Sequence, residues 1–377
     1  MQKKNAYLIS CSDHYSHRLN VIDHHLQERG YHVTYITSDF DHVKKCQFQC
    51  NVPGCVQIPA KPYKKNLSLG RILSHYRFAR DVFAYLESLP EQPQVIVALI
   101  PPNFLAHYAA KYKKAHPEVR LVFDIFDMWP ETFPSGRAKK LLAPVFGIWG
   151  WVRNHGLDSA DYVITECELF RRKLKLPRTK SATVYLCAAP LTDEVAPVSL
   201  DEERINLCYL GSANNVVDID AIAALIGQIK QFKPVTLHII GFGERMQTLV
   251  DMAQNAGAKV EQYGVIYDAA RKQQILSRCH FGLNMMKAST CIGLTMKSLD
   301  YLRNGLPIIN NIPADTERLV RIEGIGVELD DTCACRIAEM TTQDHMQMRE
   351  NVKQAFDRYF SREVVDKQYK KILDEIL

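Results

Sequence analysis

Residues 281–310 read FGLNMMKASTCIGLTMKSLDYLRNGLPIIN. The apolar run Phe281–Met286 is typical of a buried strand, and a polar loop follows it. A helix pattern begins near Thr295 and stops at Gly305, and Pro307–Asn310 is a second buried strand. A strand, a helix and a strand in this order predict a parallel crossover unit, which places the chain in the α/β class.

The same alternation of short apolar runs and helical patterns extends toward both ends of the chain. One helix is marked by Leu19, Ile22 and Leu26, which fall on one face before Gly30 ends it. The other expected strands are Tyr7–Cys11, Val33–Thr37, Val95–Ile100, Leu121–Ile125, Tyr162–Thr165, Ile205–Leu210, Val235–Ile240, Val260–Tyr263 and Val327–Leu329. We therefore predict an α/β protein with two doubly wound, Rossmann-like domains.

The length of 377 residues favours two domains, since one domain usually takes about 100–200 residues. We expect the first at residues 1–190 and the second at residues 204–348. The weakest periodicity lies at Ala188–Glu203, where prolines interrupt any pattern, so the linker is placed there. Residues 349–377 form a charged helical pattern with a break near Ser361, which we expect to cross back to the first domain.

Apolar residues make up 47% and charged residues 24% of the chain, as in a packed globular protein. The net charge of +5 is small for this length and gives no reason to expect a nucleic-acid partner. The first apolar run is too short for a signal peptide or a membrane span. Several of the 11 cysteines lie in apolar runs, as reduced thiols do, so we expect a cytoplasmic location.

Three cysteines, Cys46, Cys50 and Cys55, lie near His42 and suggest a metal cluster by composition alone. Their spacing is not a paired Cys-x-x-Cys pattern, and no second pair lies nearby. We therefore expect no metal.

The loops after the strands are the places to look for a ligand, because open α/β sheets bind ligands beyond the carboxyl ends of their strands. The strand ending at Leu210 runs into a turn of small residues, and the strand ending at Ile240 runs into a glycine turn that opens a helix. Plain tight turns explain both patterns equally well. The candidate ligand-binding residues in these loops and in the loop after the third strand are Gly211, Ser212, Asn215, Gly243, Arg245 and Val265.

The loop and helix after Met286 are more informative. Thr295 can cap the helix while the free N–H groups behind it face a diphosphate, and Lys297 adds a positive charge at the same end. Asp300, one turn on, could accept hydrogen bonds from ribose hydroxyls. Lys287 is a further cation in the loop. The competing interpretation is an ordinary surface ion pair between Lys297 and Asp300.

Residues 293–309 (GLTMKSLDYLRNGLPII) resemble the donor-site segment of bacterial family 4 glycosyltransferases, commonly GLPxKxxEYxxxGxPVI. Residues 123–131 (FDIFDMWPE) are similar to the DxHDxWPE segment of the same enzymes, and residues 62–75 resemble a block of capsule and O-antigen transferases. Together these blocks span roughly residues 1–330. The resemblance implies the GT-B fold, in which an acceptor-binding domain and a nucleotide-sugar-binding domain face each other across a cleft.

The resemblance also implies an activity. It implies transfer of a hexose from a nucleotide-sugar donor, expected to be UDP-linked, to a glycan or a polyprenyl-diphosphate-linked acceptor in surface polysaccharide synthesis. The family's ribose-binding acid falls on Asp300, and family members generally retain the anomeric configuration. The leaving diphosphate can then take the acceptor proton, while Lys297 stabilises its charge. No cofactor is implied, because the nucleotide sugar is a substrate.

An acceptor site is expected in the first domain. Asp127 follows an apolar strand and could orient the acceptor hydroxyl or act as a base, so Asp127 and Lys297 are the candidate catalytic residues. Asp124 and Glu131 are rivals, and a turn-capping role is the competing interpretation of Asp127. The candidate acceptor-binding residues are His14, His17, Asp127 and Glu131.

Three positions depart from the family pattern. The first acid of the Glu-x7-Glu motif falls on Ile292, the donor-side arginine falls on Ser212, and the histidine of the first domain falls on Phe126. The main alternative is therefore a catalytically silent GT-B protein that acts as a partner or chaperone of another transferase. A dinucleotide-dependent oxidoreductase is disfavoured, because no Gly-x-Gly-x-x-Gly follows the first strand.

Residues 137–153 (RAKKLLAPVFGIWGWVR) predict a contact with the inner face of the cytoplasmic membrane. The apolar centre is too short to span a bilayer, but Trp149 and Trp151 suit the headgroup level. Lys139, Lys140 and Arg153 would meet anionic lipid. The competing interpretation is a buried helix with solvated flanks.

Overall fold

A computed structural model describes residues 4–12, 16–66, 68–133, 143–189, 191 and 200–377. The chain divides into two compact units. The first comprises residues 1–185 and 366–377, and the second comprises residues 186–365.

The first unit is built on a seven-stranded parallel sheet with the order β5-β2-β1-β6-β7-β8-β9. Its strands are β1 (Lys4–Ile9), β2 (Tyr31–Ser38), β5 (Val56–Ile58), β6 (Val95–Ile100), β7 (Arg120–Ile125), β8 (Tyr162–Thr165) and β9 (Ser181–Thr183), and a small antiparallel ribbon pairs β3 (Phe40–Asp41) with β4 (Cys46–Gln47). Its helices are α1 (Ser16–Glu28), α2 (Leu69–Glu87), α3 (Asn103–Ala115), α4 (Ala143–Leu157) and α5 (Glu168–Lys173). Strand β6 is buried along its whole length, as expected for a sheet covered on both faces.

The second unit has a six-stranded parallel sheet with the order β12-β11-β10-β13-β14-β15. Its strands are β10 (Ile205–Leu210), β11 (Val235–Ile240), β12 (Lys259–Gly264), β13 (Phe281–Asn284), β14 (Ile308–Asn310) and β15 (Gly326–Glu328). Its helices are α6 (Ile219–Ile229), α7 (Met246–Asn255), α8 (Ala269–Leu276), α9 (Met296–Arg303), α10 (Asp315–Glu323), α11 (Cys333–Glu339) and α12 (Thr342–Tyr359). From β10 the strands are added on one side as β11 and β12 and then on the other side as β13, β14 and β15. Because the strand order reverses between β10 and β13, the crevice beyond these two strands is the expected ligand site.

The last helix, α13 (Arg362–Ile376), carries the chain from the second unit back to the first. Its apolar positions recur at helical spacing, so that one face is buried. The buried residues on this face are Val365, Tyr369, Ile372, Leu373 and Ile376. The helical break expected near Ser361 is present, but helix α12 before it belongs to the second unit.

The predicted α/β architecture is confirmed, and every strand expected from an apolar run is present. The elements that the sequence did not indicate are β5 and β9, which are three residues each, and the two-residue strands β3 and β4. Segments this short carry too few side chains to show a period, and only their pairing with neighbours makes them strands.

Candidate functional site

The start of helix α9 is the best-defined part of the candidate site. Thr295 caps the helix by accepting a hydrogen bond from the Ser298 backbone N–H at 3.0 Å, and the Ser298 hydroxyl accepts one from the Thr295 backbone N–H at 3.1 Å. This capping box leaves the N–H groups of Met296 and Lys297 without intrahelical partners, as at any helix start. The predicted start of the helix is therefore confirmed.

A buried polar chain fixes this helix start to the sheet. The Thr295 hydroxyl donates to Asn284 Oδ1 at 2.7 Å, and Asn284 Nδ2 donates to Asn310 Oδ1 at 2.9 Å. Asn310 Nδ2 in turn donates to the Glu328 carboxyl at 3.2 Å. Burial raises the pKa of Glu328. Because the two asparagines end β13 and β14, this chain holds the free N–H groups of α9 at the carboxyl edge of the sheet.

Lys297 lies against an aromatic ring, not against an acid. Its Nζ is 3.3 Å from the Tyr209 hydroxyl and 4.4 Å from the centroid of the Tyr209 ring. Burial lowers the pKa of Lys297 to about 8. The competing interpretation, an ion pair with Asp300, is not what the structure shows, since the Asp300 carboxylate lies 3.5 Å from Lys272 Nζ. Lys297 is thus a partly desolvated cation without an acidic partner among the described residues.

Tyr209 is a site residue that the sequence analysis missed. Its side chain is fully buried, and its hydroxyl donates to the Ser212 carbonyl at 2.9 Å while accepting from Lys297. It therefore connects the loop after β10 to the start of α9. The only sequence signal is its position one residue before the end of a strand.

The loops after β10 and β11 are in close backbone contact. A Cβ atom on Gly241 would lie 2.1 Å from the Gly211 carbonyl oxygen, and one on Gly243 would lie 2.2 Å from the Ala213 oxygen. The Arg245 backbone N–H donates to the same Ala213 oxygen at 3.0 Å. The two glycines of the second turn are therefore required for the loops to approach each other.

The remaining predicted donor residues lie at the same edge of the sheet. Asn215 is exposed, and its side chain donates to Glu244 at 2.6 Å, which links the first two loops. The Lys287 backbone N–H donates to the Val216 carbonyl at 2.9 Å, which brings the loop after β13 to the loop after β10. Val265 is exposed after β12.

Asp127 in the first unit is engaged in a local turn. Its Oδ1 accepts from the Met128 backbone N–H and from the Thr132 hydroxyl, both at 2.7 Å. Burial raises the pKa of Asp127, and these hydrogen bonds oppose the rise. These contacts match the turn-capping interpretation, and the Trp129 side chain is a further hydrogen-bond partner of the Asp127 carboxylate.

Glu166, which the sequence analysis did not single out, lies at the end of the neighbouring strand. Its backbone N–H donates to the Ile125 carbonyl at 3.0 Å. Burial raises the pKa of Glu166 to about 8, and the nearby Asp127 and Asp124 carboxylates add to the rise. A carboxyl group that is protonated near neutral pH can donate a hydrogen bond beside Asp127.

The other residues proposed for the acceptor differ in their setting. Glu131 forms a bidentate ion pair with Arg153, in which two guanidinium nitrogens donate to the two carboxylate oxygens at 2.9 and 2.8 Å. Asp124 is fully buried and paired with Arg18 at 2.8 Å. His17 lies in the first turn of α1, and His14 lies outside the described residues.

The predicted membrane segment needs correction at three positions. Arg153 is fully buried against Glu131, so it does not meet lipid. Phe146 and Trp149 are buried in a cluster with Phe133. In contrast, Ile148 and Trp151 expose 65% and 55% of their surface. Lys139 and Lys140 lie outside the described residues.

The fold of the chain is similar to that of solved glycosyltransferase structures. The lipopolysaccharide outer core galactosyltransferase WaaB, in its apo form, matches with a TM-score of 0.68 and 14% identity over 99% of this chain and 100% of its own. HepE of Anabaena in complex with UDP matches with a TM-score of 0.66 and 12% identity over the same shares. A glycosyltransferase of Rickettsia africae matches with a TM-score of 0.59 and 10% identity over 99% of both chains.

The fold is of the GT-B type. No protein-family model matches the sequence, and no curated protein sequence matches it either. Among the helices that the structure describes, none has the length and apolar character needed to cross a bilayer.

Proposed function

We propose that this protein is a glycosyltransferase that moves a hexose from a UDP-linked donor to a glycan or polyprenyl-diphosphate-linked acceptor, with retention of configuration. The observation that carries the proposal is Lys297, which has no acidic partner among the described residues. It lies beside the capped start of α9, where the strand order of the second sheet reverses. A partly desolvated cation and free helix N–H groups are what a diphosphate requires. The solved HepE structures with UDP and with UDP-glucose support a uridine nucleotide.

Stabilisation of the leaving group is the main task of the second unit. As the bond between the sugar and the diphosphate breaks, negative charge builds up on the diphosphate oxygens. Lys297 and the N–H groups of α9 would take up that charge, and one charge-assisted contact supplies about 1.5–3 kcal/mol. Burial of Lys297 enhances this effect, since water screens its charge less. The ribose hydroxyls would be held by Asp300.

The first unit would supply the acceptor side. The Asp127 carboxylate would accept a hydrogen bond from the attacking hydroxyl and orient it. In a front-face displacement the acceptor proton passes to the leaving diphosphate oxygen, so no residue has to keep it. The raised pKa of Asp127 is compatible with a transient hydrogen-bonding role.

Binding of UDP to the full-length protein tests the donor site. Isothermal titration calorimetry should show that UDP binds more tightly than GDP. Asp300→Ala should lower the UDP affinity by about 10- to 100-fold, because the contacts of Asp300 to the ribose are lost. The matched control is Lys272→Ala, which breaks the ion pair of Asp300 at 3.5 Å but removes no proposed ligand contact. Equal UDP affinities of the wild type and Asp300→Ala would contradict the assignment of Asp300.

The alternative of a catalytically silent partner rests on Ile292, Ser212 and Phe126, and the structural neighbours do not favour it. Slow hydrolysis of UDP-hexoses by the purified protein distinguishes the two functions. Proton NMR of the first sugar released from an α-linked donor should show the α-anomer. Binding of UDP without any turnover would favour the silent partner, and release of the β-anomer would contradict retention.

A membrane-facing surface in the first unit completes the proposal. Leu69, Leu73 and Tyr76 are exposed along one face of α2, and Ile148 and Trp151 are exposed on α4. The two helices share a core cluster, because the α2 residue Ile72 packs against Phe146 and Trp149. The exposed Lys64 and Lys65 precede α2. Apolar side chains beside lysines suit an anionic lipid surface.

Liposome flotation tests this surface. The variant Ile148→Ser/Trp151→Ser should lose binding to anionic vesicles, because both side chains are exposed and would enter the headgroup region. Phe232→Ser is the matched control, since Phe232 is 56% exposed in the second unit and should not affect flotation. A wild type that fails to float with anionic vesicles at low salt would exclude the membrane contact.

A further inference from the structure

A cluster of one thiol and two imidazoles lies in the first unit, and the proposed reaction does not use it. Cys11 follows β1, His42 follows the ribbon strand β3, and His75 lies in α2. One ligand atom from each residue lies within 4.8 Å of the others. Cys11 and His75 are buried, and His42 is half-buried. Sulfur and imidazole nitrogen are the donors that Zn²⁺ prefers in proteins.

The hydrogen bonds of His42 prepare it as a ligand. Cys11 Sγ lies 2.9 Å from His42 Nε2, so the thiol and the imidazole are joined by a hydrogen bond. The other ring nitrogen, Nδ1, lies 2.8 Å from the Tyr63 hydroxyl. A hydrogen bond to the second nitrogen fixes the tautomer and the ring orientation of metal-binding histidines.

His75 supplies the independent indication of a ligand. Its ring stacks on Trp129 with centroids 5.6 Å apart and an interplanar angle of 5°, and it contacts the His42 ring edge-on at 5.4 Å. Its Nδ1 is buried and has no hydrogen-bond partner among the described residues. Buried polar atoms in native proteins are normally satisfied, so an unpartnered nitrogen beside a thiol and a second imidazole calls for a bound group.

The charges around the cluster decide its protonation. Zinc is bound by neutral imidazole and by thiolate, so the Cys11 thiol must release its proton when the ion binds. Arg71, which lies near both Cys11 and His42, opposes a metal ion but favours the Cys11 thiolate. Lys45 near His42 also opposes a metal ion, and Asp41 offsets its charge in part.

We propose that Cys11 Sγ, His42 Nε2 and a ring nitrogen of His75 bind one Zn²⁺ ion, and that the Cys11 thiol proton passes to solvent. Zinc bonds of about 2.3 Å to sulfur and 2.0–2.1 Å to nitrogen put neighbouring donor atoms about 3.3–3.6 Å apart. The Cys11–His42 pair must open slightly from 2.9 Å and the rest of the cluster must contract slightly from its 4.8 Å limit. Three protein ligands leave the fourth position open. The proposal does not depend on the glycosyltransferase assignment.

Metal titration of the full-length, chelator-treated protein tests the site. Zn²⁺ added against a chromophoric chelator should bind at one ion per chain, and Co²⁺ in its place should give a thiolate-to-cobalt charge-transfer band. Cys11→Ser should abolish that band, and His75→Gln should lower the Zn²⁺ affinity by more than about 100-fold. Tyr63→Phe, which removes the hydroxyl that bonds to His42, should lower the Zn²⁺ affinity by about 10- to 100-fold.

Controls separate this site from the cysteines of the neighbouring segment. Cys46→Ser and Cys55→Ser should retain the cobalt spectrum, since neither residue belongs to the cluster. Circular dichroism and tryptophan fluorescence, which reports on the first unit, establish that each variant is folded. Loss of the band in Cys46→Ser but not in Cys11→Ser would overturn the proposal. So would a wild type that binds less than stoichiometric Zn²⁺ or shows no thiolate band, whatever the variants do.

Discussion

At the residue scale, Lys297 combines two properties that oppose each other in the free protein. Its charge suits a diphosphate, but its surroundings disfavour the charge, so that its pKa is lowered to about 8 from the ordinary value of 10.5. The folded protein therefore binds this proton less tightly than the unfolded chain does. The sign follows from linkage: the contribution of Lys297 to the free energy of unfolding rises with pH between about 8 and 10.5.

Replacing Lys297 by methionine should separate stability from binding. Lys297→Met should leave the ligand-free protein at least as stable at pH 7, because an uncompensated cation is removed from a desolvated position. Its UDP affinity at pH 7 should fall by about 10- to 100-fold. Wild-type affinity should decrease as the pH rises through about 8, and the variant should lack this decrease. Calorimetric titrations from pH 7 to pH 9, together with urea unfolding, would measure both effects.

An unchanged UDP affinity of Lys297→Met would contradict the proposed role of this lysine. If Lys297→Met binds UDP as tightly as the wild type at every pH, the lysine packs on Tyr209 for structural reasons alone. Arg336→Met is a useful comparison, since Arg336 is a half-exposed cation of the same unit that pairs with Asp330 at 2.8 Å.

At the scale of elements, Tyr301 fastens helix α9 to strand β10. Its fully buried hydroxyl accepts from the Leu210 backbone N–H at 2.8 Å and donates to the Cys208 carbonyl at 3.1 Å. The ring lies so close to β13 that a Cβ atom on Gly282 would be 2.6 Å from it. A glycine inside a strand often marks such a close approach. The position of the helix start, and hence of Lys297, depends on this contact.

Gly282→Ala should therefore disturb the proposed donor site indirectly, through Tyr301. The added methyl group displaces the Tyr301 ring, and overpacking of this kind costs about 1–3 kcal/mol. Urea unfolding should show that loss, and UDP affinity should fall because α9 shifts. Adding Tyr301→Leu should reduce the penalty of Gly282→Ala, since the clashing ring is gone. Gly227→Ala serves as the control, because a Cβ atom there meets nothing within 4 Å. Strictly additive effects of the two substitutions would refute the proposed contact.

At the scale of the whole molecule, the last helix completes the first unit with a residue far away in sequence. Arg18 Nε and Nη2 donate to the two Asp124 oxygens at 2.9 and 2.8 Å, and the Tyr369 hydroxyl donates to Asp124 Oδ2 at 2.7 Å. All three side chains are buried. A buried carboxylate that loses a hydrogen-bond donor is strongly penalised, so α13 is part of the folding unit.

Tyr369→Phe should destabilise the first unit by about 1.5–3 kcal/mol, the usual range for a hydrogen bond to a charged group. The change keeps the ring and removes only the hydroxyl. Tyr267→Phe is the control, since Tyr267 is 93% exposed in the second unit. Denaturant unfolding followed by Trp129 and Trp149 fluorescence reports on the first unit. UDP affinity, a property assigned to the second unit, should not change. Stability equal to that of the control would show that the hydrogen bond contributes nothing.

The sequence by itself determined the fold class and the place of the proposed donor site. Apolar runs at strand length and helices with caps are local signals, so the strands and the start at Thr295 were predictable. It was also predictable that the loops carrying Gly211, Gly243 and Lys287 lie at one edge of the sheet, because loops that follow the strands of a parallel sheet meet at the carboxyl ends of those strands.

Tertiary structure decided which side chains pair, because a pair depends on residues that are distant in sequence. Lys297 contacts Tyr209 while Asp300 contacts Lys272, although spacing along the helix favoured Lys297 with Asp300. Arg153 is paired with Glu131 instead of facing solvent.

The thiol and the two imidazoles of the proposed zinc site show the same limit. Cys11 and His75 are 64 positions apart in the chain, and no local motif contains both. Along the chain, only Cys46, Cys50 and Cys55 lie near His42, and their spacing gave no reason to expect a metal. Only the packing of α2 beside the ends of β1 and β3 brings these ligand atoms within reach of one ion.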